Sequence, residues 1–285
     1  MVHALPLLFQ EIAPGARAVE RLARRSPVLI RDLGPSIESS AALRKNLEDV
    51  KASDFFRAGE GYLANYSTRD RSRALQRTDV IRDSDSPDNT SGSVAVLTGN
   101  LAPEGAVFKY SACDPAMYEH TGRAVVFESE EDCFAAVTGL RVQPGEVLVV
   151  RNEGPASCGM PELFNTSSAI VAIEQYRSSV ALITDGRFSG GTAGPVIGHV
   201  SPEAAAGGPI ALVETGDTVQ LSLSRRGLNI VAVHDGGSTA GDVVRTLEQR
   251  RLRWRKPPRR YTSGILGVYT RLAVSPMQGA YMAGE

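Results

Sequence analysis

Residues 181–208 read ALITDGRFSGGTAGPVIGHVSPEAAAGG, and the start of this stretch sets the architecture. Residues 180–184 are apolar and partly β-branched, as in a core strand, and Asp185-Gly186-Arg187 breaks the run where a turn must follow. Ser189 stands just past that strand end, beside Gly190, Gly191 and Thr192. Glycines there permit positive φ and close backbone approach, so backbone N–H groups can face an oxyanion while a hydroxyl is held in the open. Two readings stand side by side: a candidate active-site loop, and an ordinary glycine-rich turn between strands. Asp185 and Arg187 flank the turn, and a pairing between them is one way to fix its geometry.

Outward from this stretch, further short β-branched runs are punctuated by Gly, Pro, Asn and Asp. Together the candidate strands are 94–97, 124–127, 147–150, 169–173, 180–183, 210–213, 219–223 and 230–233. Strands of this length and spacing favour a closed barrel or sandwich. Residues 238–250 (STAGDVVRTLEQR) carry an N-cap candidate, an acidic first turn and a basic end, which predicts a helix. The following basic cluster, 250–260, surrounds Trp254 and reads as a solvated helix end and connector. Before residue 93 the pattern is different. Residues 11–25 and 40–52 show helical apolar spacing, and 67–92 are polar and rich in turn formers. The organisation expected is a partial helical segment over 1–66, a linker or loop over 67–92, and a barrel-like domain over 93–285. The fold class is mainly β with flanking helices (α+β).

Charge and apolar patterning bound the function. With 31 basic and 32 acidic side chains the net charge is −1, so no general electrostatic attraction to nucleic acid or anionic lipid is expected. Apolar runs are too short for a membrane span or a signal peptide, which makes a cytoplasmic protein with small-molecule or protein partners the default expectation. Cys113, Cys133 and Cys158 form no CxxC pair and no zinc or cluster motif, and read as reduced thiols. Lone His199, placed in a loop, reads as a structural residue, Asp217 as a hairpin residue, and Lys109 as either a carboxylate anchor or a surface salt-bridge partner.

Four ordered blocks carry a resemblance: 94–109 (VAVLTGNLAPEGAVFK), 147–163 (VLVVRNEGPASCGMPEL), 181–208, and 264–281 (GILGVYTRLAVSPMQGAY). They are similar to the C-terminal half of the dihydroxy-acid and sugar-acid dehydratases (the IlvD/Edd family), which convert 2,3-dihydroxy acids into 2-keto acids and water. Earlier in the chain only 26–33 (SPVLIRDL) and 54–59 (DFFRAG) resemble it. The resemblance implies a β-barrel-like domain, Glu162 as one carboxylate ligand of Mg²⁺, and Ser189 as the base that removes the C2 proton. Gly190, Gly191 and Thr192, with Asp185 and Arg187, would form the surrounding substrate loop. It also implies an iron-sulfur cluster, but the cluster cysteines belong to the family's other half and no iron-sulfur ligand is assigned here. Cys113-Asp114-Pro115 matches only the first two letters of the family's Cys-Asp-Lys element, in a different block.

Family members are about twice as long, so the implied partners are a small dihydroxy acid, an N-terminal-half polypeptide and a second copy in a homo-oligomer. The substrate stays open between a branched-chain dihydroxy acid and a sugar acid such as an aldonate. The loop EGPASCGMPE is nearer the sugar-acid branch in length, while GRFSGGTAGPVIGHVSPEA is nearer the other. Three arrangements fit the missing half: a split enzyme, a remnant that keeps the fold without activity, and a fragment of a longer enzyme. A non-catalytic dimerisation or binding module is the alternative of a different class. On this organisation, limited proteolysis should cut first between Thr68 and Gly92. Early cleavage within 180–213, read by mass spectrometry, would contradict the boundary.

Overall fold

The computed structural model describes residues 93–283 and, before them, Arg73, Ala74 and Gln76. Almost all of these belong to one unit, Ser93–Glu285. The expected helices at 11–25 and 40–52, and nearly all of the 67–92 linker, lie outside the described residues.

Eight strands form one sheet: β1 (Ala95–Leu97), β2 (Gly105–Phe108), β3 (Glu119–Phe127), β4 (Val147–Val150), β5 (Ala181–Thr184), β6 (Val196–Ser201), β7 (Thr218–Ser222) and β8 (Gly227–Ala232). Their order is β1-β2-β6-β5-β4-β3-β7-β8. The central strands β3, β4, β5 and β6 are parallel, and the outer pairings are antiparallel. Thr98 links the two ends of the sheet: its N–H donates to Arg226 O and its carbonyl accepts from Leu228 N–H, each at 2.9 Å. Asn100 adds a side-chain rung, donating Nδ2 to Ile230 O at 2.8 Å and accepting Ile230 N–H on Oδ1 at 2.6 Å. The sheet is thereby nearly closed, as the barrel-like expectation required.

Burial on both faces explains the apolar sequence of β4 and of most of β5. Val147 and Val149 face the barrel interior with Ile183, Ile197, Leu221 and Ile230. Leu148, Val150, Leu182 and Val196 face outward onto a second cluster with Cys133, Val137, Ile170 and Tyr176. A strand covered on both faces has no position for a polar side chain. The outer cover comes from α1 (Glu130–Thr138) and α3 (Phe164–Ala172), with the single turns α2 (Pro155–Cys158) and α4 (Glu174–Arg177) beside them. Later in the chain come α5 (Ala240–Arg253) and α6 (Gly264–Leu272).

Two expected strands are corrected. Residues 169–173 end α3, because Thr166, Ser167 and Ile170 bury one helical face while β4 and β6 already occupy both sides of β5. Residues 210–213 lie largely in a 3-10 turn, Pro209–Leu212, opened by Pro209 with Ile210 and Leu212 turned into the core. Two strands were missed. In β2 the apolar run is only three residues, and in β6 Gly198 and His199 interrupt the pattern at a bulge: Gly105 pairs Ser201 while Val107 pairs Gly198. His199, expected in a loop, holds φ 57° within that strand.

The helix expected over 238–250 is α5, whose Thr239–Asp242 capping box satisfies its first N–H groups. Its end is not uniformly solvated. Arg250 is buried and forks onto Asp217, Nη1 to Oδ2 at 2.5 Å and Nη2 to Oδ1 at 2.9 Å, with Asp235 at 2.6 Å from Nη2. Asp217 is therefore more than a hairpin residue: it is fully buried and also accepts N–H groups from Glu214 and His234. Asp217→Asn should cost about 3–5 kcal/mol in urea unfolding, since it removes the one fully buried carboxylate facing the Arg250 guanidinium and leaves it only the more exposed Asp235 and Glu214. Arg245→Ala, which breaks an exposed pair with Asp242, should stay within about 0.5 kcal/mol.

Candidate active site

Because β4, β5 and β6 run parallel, their C-terminal ends open at one mouth and the loop after each starts there. Strand β4 leads into Arg151–Glu162, β5 into the Ser189 loop, and β6 into Pro202-Glu203-Ala204. Asp185, the residue after β5, ties the three together. Its carboxylate accepts the N–H of Asn152 (3.2 Å), Glu153 (2.9 Å) and Ala204 (2.9 Å) while fully buried. Asp185 is thus spent on backbone, and the expected pairing with Arg187 does not form; the Arg187 side chain is exposed. Burial pushes the Asp185 carboxyl up to about 6 against the pull of those three N–H groups.

Two further buried carboxylates, Glu153 and Glu203, were not singled out from sequence. Glu153 accepts Glu130 N–H at 2.9 Å and the Cys158 thiol at 2.7 Å. Glu203 accepts the N–H of Ala156 with both oxygens, at 3.0 and 3.1 Å. Burial raises Glu203 to about 7, with neighbouring Asp185 adding to the effect. Gly154 makes this contact feasible, since a Cβ there would lie 2.2 Å from Glu203 Oε2. The only sequence signal was placement: each residue follows a parallel strand within a few positions.

The loop carrying Glu162 is joined to the one carrying Ser189 by a backbone rung. Leu163 N–H donates to Arg187 O at 3.0 Å and Arg187 N–H to Pro161 O at 3.3 Å, which sets Glu162 opposite Arg187, two residues before Ser189. Glu162 is exposed and Ser189 half-buried. The strand that leads to Glu162 is β4. Thr192 is buried; its Oγ1 lies 3.2 Å from Ser189 Oγ, and its N–H donates to Ser189 O at 3.3 Å. Gly190 and Gly191 do not take positive φ, and only Gly194 (φ 93°) does so in this loop. A Cβ at Gly190 would meet nothing within 4 Å, so that side of the turn is open. Among the described residues Lys109 has no carboxylate partner: its ammonium donates to the carbonyls of Gly190, Thr192 (2.6 Å) and Ser189 (3.5 Å).

The described residues do not by themselves fit either cofactor that the sequence resemblance implies. Cys113, Cys133 and Cys158 are buried in separate places, and burial raises every one of these thiols above its usual value. They do not converge on a cluster. For Mg²⁺, Asp185, Glu153 and Glu203 already accept N–H and S–H donors and Glu128 is held by Arg151 and Asn152, which among the described residues leaves Glu162 as the exposed carboxylate on these loops without such a contact. One carboxylate is too few for a divalent site. Glu214, His234 and Asp235 have ligand atoms within 4.8 Å of one another, but Arg250 already supplies a cation there, with Nη2 3.3 Å from His234 Nδ1. A cleft of about 280 Å³ beside α2, lined by Glu130, Glu153, Cys158 and Arg260, includes neither Glu162 nor Ser189.

Raised carboxyl values set a direction for pH. Folded Glu203 holds its proton above the ordinary glutamate range while the unfolded chain has released it, so this residue's contribution to stability falls as pH rises from about 4.5 towards 7. Glu203→Gln should therefore gain about 2 kcal/mol on the parent between pH 5 and pH 8 in urea unfolding, from the size of the shift. A pH-independent difference would mean that Glu203 ionises normally.

Residues 79–280 match the family model described as "Dihydroxy-acid/6-phosphogluconate dehydratase C-terminal". Among curated relatives, the dihydroxy-acid dehydratase of Moorella thermoacetica is 45% identical over 211 residues, 74% of this chain and 36% of the relative. That of Nitrosomonas eutropha is 47% identical over 204 residues, 70% and 34% of the two chains. That of Syntrophobacter fumaroxidans is 38% identical over 273 residues, 93% and 47%. The chain spans about a third to a half of the length of these relatives. With more than half of its residues inside the family model, the chain belongs to the dihydroxy-acid/6-phosphogluconate dehydratase family through its C-terminal domain.

Proposed function

We propose that residues 93–285 form the C-terminal half of a hydro-lyase that removes water from a 2,3-dihydroxy acid, with Ser189 as the base at C2. The observation that carries this reading is the backbone rung between the Glu162 and Ser189 loops at one barrel mouth. In such a reaction the base takes the C2 proton, the C2=C3 bond forms as the C3–O bond breaks, and the enol tautomerises to the 2-keto acid. A serine is a weak base at neutral pH and needs positive charge close by. Loss of the C3 hydroxyl needs acid assistance that the described residues do not supply, so the site is completed from outside them. Glu162 contributes its carboxylate to that completed site. The open side of the turn at Gly190 suits a small substrate.

The names of the relatives favour a dihydroxy acid over a sugar acid, and branched-chain synthesis in the cytoplasm is the setting this reading fits. Among the described residues no helix is long and apolar enough to cross a membrane.

The purified chain, after anaerobic iron-sulfur reconstitution, should form no 2-keto acid from 2,3-dihydroxyisovalerate or an aldonic acid. Co-purified with the N-terminal half of a relative, it should turn over, and Ser189→Ala should cut that rate by roughly 10³-fold or more. Turnover by the lone chain would show that its own residues complete the site. Activity of the pair that survives Ser189→Ala would remove the serine from the base role.

A further inference from the structure

Lys109 was singled out in the sequence and has no part in the reading above. It follows β2, across the sheet from the Ser189 loop, which begins at the end of β5. Its ammonium has three N–H donors, and three carbonyls of that loop take them: Ser189, Gly190 and Thr192. Burial lowers its pKa, yet a cage of carbonyl oxygens holds the charged form. The turn itself has little else to fix it. Gly190 and Gly191 carry no side chains, Gly190 has open space around it, and the contacts within the turn are the Thr192 N–H and hydroxyl to Ser189.

We propose that Lys109 is a positioning residue for Ser189: its ammonium fixes the Ser189–Thr192 turn through three carbonyls and supplies the fixed positive charge that eases proton loss from the Ser189 hydroxyl. This rests on the reading of Ser189 as a base. Arg187, two residues before Ser189 and exposed, is the cationic side chain of the loop itself. Its charge is screened by solvent, whereas that of Lys109 is held against the turn.

The test uses the chain itself and needs no turnover. A small fluorophosphonate reports serine acidity: Ser189 Oγ bonds to phosphorus, the P–F bond breaks, fluoride leaves, and the hydroxyl proton goes to solvent. Labelling of Ser189, followed by peptide mass spectrometry with Ser189→Ala as the blank, is measured from pH 6 to 10. Lys109→Met should slow labelling at pH 8 at least tenfold and move the midpoint of its pH profile up by a unit or more. Lys109→Arg, which keeps the charge, should stay within threefold of the parent. Trypsin cleavage after Arg187 should be at least fivefold faster in Lys109→Met, reporting the freed turn. An unchanged labelling profile in Lys109→Met, or no labelling of Ser189 in the parent, overturns the proposal; should Lys109→Met not fold, a Lys109→Arg profile shifted as far as that expected for Met overturns it too. Inactivity of the paired halves alongside the expected labelling would instead count against the dehydratase reading alone.

Discussion

A single buried carboxylate holds the mouth of this barrel together. Parallel strands end with backbone N–H groups that have no further strand to pair with, and the loops that leave them must find acceptors or water. Asp185 supplies acceptors for three such groups at once, on the loops after β4 and β6, from its own place at the end of β5. Because it is fully buried, the cost of holding it is high, as its raised pKa reports, and that cost is offset only while all three donors stay in place. Everything proposed for the site is downstream of this tie. Glu162 lies on the first of these loops, and the Ser189 loop begins at Asp185 itself.

A second charged network stabilises the other part of the barrel in a different way. Asp217 and Arg250 pair inside the protein, with Asp235 as a second carboxylate on the guanidinium, and join the start of β7 to α5. Here burial of a cation and an anion is matched by a bidentate contact. Among the described residues around Asp185 no cation does this: Glu153, Asp185 and Glu203 gather beneath the mouth with backbone N–H groups as their main partners. Arg260 reaches Glu153 only at 3.8 Å. These carboxylates offer no positive charge to a serine alkoxide, which is why a fixed ammonium such as that of Lys109 has a role to fill.

Much of this was legible in the sequence. Strands β4 and β5 announced themselves because a strand buried on both faces is almost wholly apolar, β7 and β8 because their apolar, partly β-branched residues recur on the buried face, and α5 because its capping box and charge gradient are local signals. Strand β6 was hidden by its bulge at His199, and the 169–173 helix by a β-branched run whose true period only the neighbouring Thr166 and Ser167 disclose. Asp185 and Lys109 were visible as candidates, but their partners were misread. Their partners are backbone groups far away in sequence, and no side-chain spacing encodes those. The same limit hid Glu153 and Glu203.

The most direct measurement of the central claim is hydrogen–deuterium exchange on Asp185→Asn, which removes one acceptor oxygen and sets an amide donor against backbone N–H groups. If the carboxylate ties the mouth, amides in the loops after β4 and β6 should exchange faster together with those around Ser189, while β7 and β8 keep their protection. Faster exchange confined to the residues next to position 185, with the loops holding Glu153 and Ala204 as protected as before, would contradict the account.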